Sequence, residues 1–171
     1  MKLEDLPPPE VMWEGQFVRA VKRGNWEYAS RTRDIRAVVI LAEFEGKVIL
    51  IDQPRVPVAG RCIELPAGLI GDNDPGATVE STGIQELEEE AGFTADRIER
   101  LGDFFGSPGM VSESFTLVRA HGVRRIGEGG GDDNEDINVH LVSRADIPGF
   151  IATKRTEGFS IDVKLLIFMN F

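Results

Sequence analysis

The chain has 171 residues, of which 42% are hydrophobic and 28% are charged, proportions typical of one soluble globular domain. Lysine and arginine number 19 against 29 aspartate and glutamate residues, which gives a formal net charge of −10. This excess of negative charge argues against nucleic-acid binding, which depends on basic side chains that displace counterions from phosphates.

The sequence also limits the cysteine chemistry and the cellular location that we expect for this protein. The single cysteine, Cys62, excludes an intrachain disulfide and a cysteine-based zinc site. The acidic, proline-rich start has no apolar core of the kind found in signal peptides. The longest apolar run, 37–42, is too short to cross a bilayer, so we expect a cytoplasmic protein without a membrane partner.

The first half of the chain is typical of β-strands. Segments 16–22 and 26–33 flank Arg23-Gly24-Asn25 and predict a β-hairpin. Two apolar runs, 35–44 and 47–52, are separated by a Glu-Gly turn and predict paired, buried strands. Another short strand at 62–68 must end at Pro66, because proline cannot donate to a β-ladder.

The second half alternates helices and strands. Thr78 is a suitable N-cap for a helix that runs to about Ala91 and is stopped by Gly92. Segment 122–136 is too rich in glycine and acidic residues for regular structure, and so long a loop inside a domain is usually functional. The remaining predicted elements are strands at 98–105, 115–120 and 137–144 and helices from Asp146 and Ser160. Together they predict an α/β fold, an α/β/α sandwich with a mixed sheet.

The predicted helix carries an unusual acidic face. Glu86, Glu89 and Glu90 lie at i, i+3 and i+4, on the same face, whereas Glu88 points roughly the opposite way. At an effective dielectric constant near 20, each like-charge pair costs roughly 3 kcal/mol. The face is either solvated or an all-oxygen site for Mg²⁺ or Mn²⁺, hard cations that assist phosphoryl chemistry.

The stretch from Gly68 to Phe93 resembles the Nudix box, whose second half is R-E-hydrophobic-x-E-E-x-G-hydrophobic and here reads QELEEEAGF (85–93). The segments WEYASR, IDQPRVP, CIELPAGLIG, SPGMVSE and NEDINVHLV resemble the ADP-ribose pyrophosphatase branch of that family. The resemblance implies a Nudix fold and metal-dependent attack of water on a diphosphate. The expected reaction converts ADP-ribose to AMP and ribose 5-phosphate.

The resemblance also implies roles for individual acidic residues. The implied ligands of Mg²⁺ or Mn²⁺ are the carbonyl of Ala67 and the carboxylates of Glu86, Glu89, Glu90 and Glu135. Glu89 would act either as a ligand or as a group that orients one. In the acidic loop, Asp133 is the candidate base that activates water, and a long loop can bring such a base to the substrate.

Substrate contacts are implied in the same way. Trp26 matches a tryptophan that stacks on adenine, and Arg31 and Arg55 match arginines that face the phosphates. Glu64 matches a side chain that contacts the substrate, and Glu113 matches a glutamate that helps to hold either the substrate or a metal-bound water. Indole faces suit purines, and guanidinium forks suit diphosphate oxygens. A tryptophan in a hairpin core and solvated surface arginines are the alternatives.

The resemblance divides the chain into an N-terminal dimerisation arm, residues 1–34, and a Nudix hydrolase domain, residues 35–171. The branch it resembles forms homodimers in which these arms exchange and complete the partner's site. We therefore expect a homodimer that acts on a small nucleotide sugar.

Three features depart from the family pattern. The spacing from Gly68 to Gln85 is longer than usual, Ala77 replaces the box glutamate with Glu80 following it, and Gln85 replaces the arginine before the catalytic glutamate. Gly83 also lies inside the helix, where glycine costs about 1 kcal/mol relative to alanine. Two alternatives therefore remain open. One is a Nudix hydrolase for another nucleotide sugar such as GDP-mannose, and the other is a catalytically weakened nucleotide sensor.

Overall fold

The computed structural model describes residues 2–33, 35–71, 74–132 and 135–169. The α-helices of this part of the chain are α1 (Val79–Ala91) and α2 (Ile147–Thr156). The strands in chain order are β1 (Glu10–Glu14), β2 (Val18–Arg23), β3 (Trp26–Arg31), β4 (Ala37–Leu41), β5 (Glu43–Phe44), β6 (Lys47–Arg55), β7 (Gly60–Glu64), β8 (Ala67–Leu69), β9 (Phe93–Thr94), β10 (Arg97–Phe105), β11 (Ser114–His121), β12 (Arg124–Arg125), β13 (Asn138–Ser143) and β14 (Ser160–Ile161). Short 3₁₀ helices span Leu3–Asp5, Val56–Val58, Arg144–Asp146 and Val163–Phe168.

Two mixed sheets form the centre of the fold. One has the order β10-β11-β4-β8, in which β4 runs parallel to β11 and antiparallel to β8. The other has the order β13-β6-β7-β14, with β14 parallel to β7 and β5 also paired with β6. Strands β1, β2 and β3 form a separate antiparallel sheet, and β9 pairs with β12.

Alternation along β4 creates two hydrophobic cores. Val38 and Ile40 pack in one cluster with Leu87 of α1. Val39 and Leu41 belong to a second cluster that includes Ile151 of α2. Because successive side chains of a strand point to opposite faces, a strand apolar at every position is buried between two helical layers. The predicted α/β/α arrangement with mixed sheets is confirmed.

Helix α1 begins and ends where its capping residues predict. Thr78 forms a capping box with Ser81, in which each side chain accepts a hydrogen bond from the other residue's backbone N–H. At the other end, Gly92 has a φ of 75° and its N–H donates to the carbonyl of Glu88. These local bonds fix the helix boundaries, and thereby the positions of the glutamates along the helix.

Two of the predicted strands pair differently from expectation. Segments 35–44 and 47–52 are buried strands, but β4 hydrogen-bonds with β11 and β8, and only the short β5 pairs with β6. A strand that is apolar on both faces can pair equally well with several partners, so the packing of the whole domain decides.

The final helix predicted near Ser160 begins three residues later and is a short 3₁₀ helix, Val163–Phe168. Ser160–Ile161 instead adds to β7 as the parallel strand β14. Asp162 then accepts a hydrogen bond from the N–H of Lys164 at 2.7 Å and caps the 3₁₀ helix Val163–Phe168. The predicted irregular segment 122–136 also contains the two-residue strand β12.

The N-terminal hairpin is present as β2 and β3, and Gly24 at its turn has a φ of 61°. The sequence analysis missed β1, which pairs with β2. Strand β3 is joined to the rest of the chain through Ala29, whose N–H donates to the carbonyl of Met110 at 3.0 Å and whose carbonyl accepts from Ser112. Across the described residues, no helix has the length and apolar character needed to span a membrane.

Candidate active site

Helix α1 places Glu90 against the start of β8. The Glu90 side chain is buried, at 3% exposure, and its Oε2 accepts a hydrogen bond from the backbone N–H of Ala67 at 2.8 Å. Burial raises the pKa of Glu90 to about 8, and the negative charges of Glu86 and Glu135 contribute to that rise. A buried carboxylate with so high a pKa is poised to exchange its proton for a cation.

Glu86 lies one turn earlier on the same face of α1 and is half-buried. Burial raises its pKa to about 7, with further contributions from Glu89 and Glu135. Its carboxylate occupies the space beside Gly68, where any Cβ would lie less than 3.0 Å from three atoms of Glu86. Gly68 is therefore the residue of β8 that lets the Glu86 carboxylate lie against the strand.

Glu89 is exposed, and the side-chain amide of Gln85 donates to its Oε1 at 2.9 Å. Gln85 can thus orient Glu89, as the arginine expected at this position would, but it brings no positive charge. Glu80 does not join the cluster, because Arg100 donates to its two carboxylate oxygens at 2.7 and 3.0 Å. Helix α1 therefore supplies no positively charged side chain to balance its acidic face.

The glycine-rich loop packs against the C-terminal end of α1. Gly130 donates to the carbonyl of Glu90 at 2.9 Å, and Gly131 donates to the carbonyl of Glu89 at 3.0 Å. Both glycines have positive φ, at 116° and 82°, a region that other residues rarely adopt. The loop then brings Glu135 close enough to Glu86 and Glu90 to raise their pKa values. The predicted base Asp133 lies outside the described residues.

These acidic side chains fit a hard divalent cation in donor type and charge. Three carboxylates repel one another at a partly buried position, and a cation would relieve that repulsion. Within the described ranges, no three carboxylate, imidazole or thiol groups are gathered closely enough to hold an ion as they stand. A bound cation would therefore have to draw the carboxylates closer together.

A cavity of about 540 Å³ adjoins this cluster at Ala67 and Gly68. Two of the predicted phosphate-binding residues line it, and each is held by a predicted glutamate. Arg55 donates to both carboxylate oxygens of the buried Glu64, at 2.8 and 2.7 Å. Arg31 donates from Nε to Glu113 at 2.5 Å. Each guanidinium group is thus paired with one carboxylate, and the pairs fix two planar hydrogen-bond donors at the wall of the cavity.

The structure thus brings together most of the predicted site but separates Trp26 from it. Trp26 lies at the start of β3, remains 47% exposed and does not line this cavity, whereas Arg31 at the other end of β3 does.

The sequence analysis missed Lys164, which also lines the cavity. Its Nζ donates to Asp162 at 2.5 Å and lies 5.4 Å from the centre of the Phe115 ring. No motif marks this lysine, because it lies in an apolar segment interpreted as a helix.

Comparison with known proteins gives a consistent result. A family model described as the NUDIX domain matches residues 32–161. An ADP-ribose pyrophosphatase of Saccharomyces cerevisiae is 29% identical over 159 residues, which cover 84% of this chain and 68% of that protein. A GDP-mannose pyrophosphatase of Pectobacterium atrosepticum is 29% identical over 138 residues, which cover 72% of this chain and 69% of that protein. A crystal structure of an ADP compounds hydrolase superposes on this chain with a TM-score of 0.66 and 21% sequence identity. The superposition covers 90% of this chain and 94% of that one, so the two proteins share a fold.

Proposed function

The chain belongs to the Nudix family, and from that premise we propose that it hydrolyses ADP-ribose to AMP and ribose 5-phosphate. The observation that carries this proposal is that a candidate metal site directly adjoins a candidate phosphate-binding cavity. An acidic cluster on α1 and an arginine-lined cavity of about 540 Å³ meet at Ala67 and Gly68. The names of relatives such as the yeast ADP-ribose pyrophosphatase support this choice of substrate.

We propose that Glu86, Glu90 and Glu135 hold Mg²⁺ or Mn²⁺, with the carbonyl of Ala67 as a further ligand and Glu89 as a ligand or orienting group. A divalent cation at this position would neutralise phosphate charge and lower the pKa of water. Glu90 is already oriented toward β8 by the N–H of Ala67, which reduces the reorganisation that binding requires.

Arg31 and Arg55 are proposed to bind the diphosphate oxygens. Glu113 and Glu64 hold the guanidinium groups in place, so little side-chain entropy is lost when the substrate arrives. Their carboxylates also offer acceptors for sugar hydroxyls at the wall of the cavity. Within the acidic loop, Asp133 is proposed as the base that takes the proton of the attacking water.

Residues 1–34 are proposed to act as a dimerisation arm on a hydrolase domain of residues 35–171. Side chains on β1 and the turn after it are unusually exposed for their size: Val11 is 49%, Met12 57%, Trp13 62% and Phe17 60% exposed. A second copy of the chain would cover this apolar surface. The separation of Trp26 from its own cavity is consistent with a role in the partner's site.

A substrate comparison tests the proposed function. Purified protein is incubated with ADP-ribose or GDP-mannose and Mg²⁺, and nucleotide products are separated by chromatography, while ADP-ribose affinity is measured by calorimetry. The proposal predicts AMP from ADP-ribose at a higher kcat/KM than GMP from GDP-mannose. The reverse preference would assign the site to another nucleotide sugar. ADP-ribose binding without turnover would indicate a sensor, the alternative raised by Gln85 and Ala77.

A further inference from the structure

A buried carboxylate lies outside both the acidic cluster and the cavity. Asp52 of β6 is 2% exposed and accepts hydrogen bonds from three side chains. His140 Nε2 donates at 2.6 Å, Asn138 Nδ2 donates at 3.1 Å, and Arg61 Nε donates to Oδ1. Removing a donor from a buried carboxylate is costly, so this arrangement fixes the orientation of Arg61.

Arg61 uses its remaining N–H groups to hold the acidic loop. Its Nη1 donates to Oδ2 of Asp136 at 2.6 Å, and its Nη2 donates to the backbone carbonyl of Asp136 at 2.8 Å. Nη2 also donates to the backbone carbonyl of Asp52 at 3.2 Å. A single guanidinium group therefore links the central strand β6 to the residue that directly follows Glu135.

The other end of the loop is also held, since Gly130 and Gly131 donate to carbonyls at the end of α1. The loop is thus held at Gly131 and again at Asp136. Glu135 lies inside this short span, one residue before the Arg61 contact.

We propose that Arg61 is a positioning residue that sets the position of Glu135 relative to Glu86 and Glu90 through the link from Asp52 to Asp136. The inference rests on the proposed function, in which these three glutamates bind the cation. Arg61 does not line the cavity, so its effect on the cation site would be exerted through its contacts with Asp136.

Electrostatics alone predicts a different result for the loss of Arg61 than positioning does, so an experiment can distinguish the two explanations. Removing the positive charge of Arg61 beside an acidic site should strengthen cation binding, whereas removing the negative charge of Asp136 should weaken it. If the link positions Glu135, both changes must weaken binding, because R61A removes both contacts to Asp136 and D136A removes the side-chain contact.

The experiment measures Mn²⁺ affinity by titration, following free Mn²⁺ by electron paramagnetic resonance. The variants are R61A and D136A, with E128A as the matched control. Glu128 carries the same charge in the same loop, is 91% exposed and pairs only with Arg125 among the contacts described. We expect R61A and D136A to weaken Mn²⁺ binding by roughly 10-fold or more. E128A should remain within about 2-fold of the wild type.

R61A binding Mn²⁺ as tightly as the wild type, or more tightly, would overturn the proposal. If R61A does not fold, D136A still tests the proposal, because it leaves the contact between Asp52 and Arg61 intact. A Mn²⁺ affinity of D136A equal to that of E128A would overturn the inference. Hydrogen exchange gives a second readout, in which D136A should expose the amides of residues 135–137 and E128A should not.

The wild type separates this inference from the proposed function. Wild-type protein that binds Mn²⁺ but does not hydrolyse ADP-ribose would contradict the proposed function, while the variants would still test the link. Wild-type protein that binds no Mn²⁺ would overturn both.

Discussion

Replacing Gly68 by alanine should reduce activity by about two orders of magnitude without unfolding the protein. The added Cβ would lie less than 3.0 Å from the Cγ, Cδ and Oε1 atoms of Glu86, whereas ordinary contact begins at 3.4 Å. The Glu86 side chain is flexible and can move aside, so the fold is retained. Its carboxylate would retreat by roughly 1 Å or more, and a misplacement of that size can cost about 100-fold in rate.

The assay compares kcat/KM for ADP-ribose and the melting temperature of G68A with those of G83A. Gly83 is a buried glycine of α1 whose added Cβ would meet Val38, Ile98 and Val118 at 3.7 Å, an ordinary contact. We expect G68A to lose roughly 100-fold in kcat/KM with little change in melting temperature. G83A should keep its activity and gain up to about 1 kcal/mol, or roughly 2–4 °C. G68A with more than a third of wild-type activity would refute this account of Gly68.

The remaining predictions concern pH, substrate affinity and assembly. Since folding raises the pKa of Glu86 from 4.5 to about 7 and that of Glu90 from 4.5 to about 8, the metal-free protein should lose stability as pH rises from about 4.5 to 8, and E90Q should flatten that profile in melting experiments. R55K should raise KM for ADP-ribose several-fold, because lysine cannot form a bidentate pair with Glu64; an unchanged KM would remove Arg55 from the binding site. Light scattering should give about twice the 18.8 kDa chain mass, and W13A should shift that mass toward the monomer. A wild-type mass near 18.8 kDa would contradict the dimer.

The parts of the fold that could be predicted are those decided by neighbouring residues. Thr78 and Gly92 end α1 through bonds made within a few residues, so the helix and the spacing of its glutamates follow from local sequence. Pro66 and Gly24 likewise mark a strand end and a turn. The family resemblance then placed Arg31 and Arg55 in the site, and the structure brings both to one cavity.

The parts that could not be predicted depend on residues far apart in the chain. Strand β4 pairs with β11 rather than with β6, although all three have suitable apolar sequences. Asp52, Arg61 and Asp136 converge only after β6, β7 and the acidic loop have come together, and no short motif links them. Ion pairs formed by the fold as a whole leave no periodic signal in the sequence.

The central claim is that carboxylates on α1 are required for hydrolysis of ADP-ribose. The most direct test measures AMP release with Mg²⁺ for the wild type, E90Q and E88Q. Glu88 is the matched control, because it lies on the same helix two residues from Glu90 and points away from β8. We predict that E90Q loses at least roughly 100-fold in kcat/KM. E88Q should stay within about 3-fold of the wild type. Equal activity of E90Q and the wild type would contradict the account.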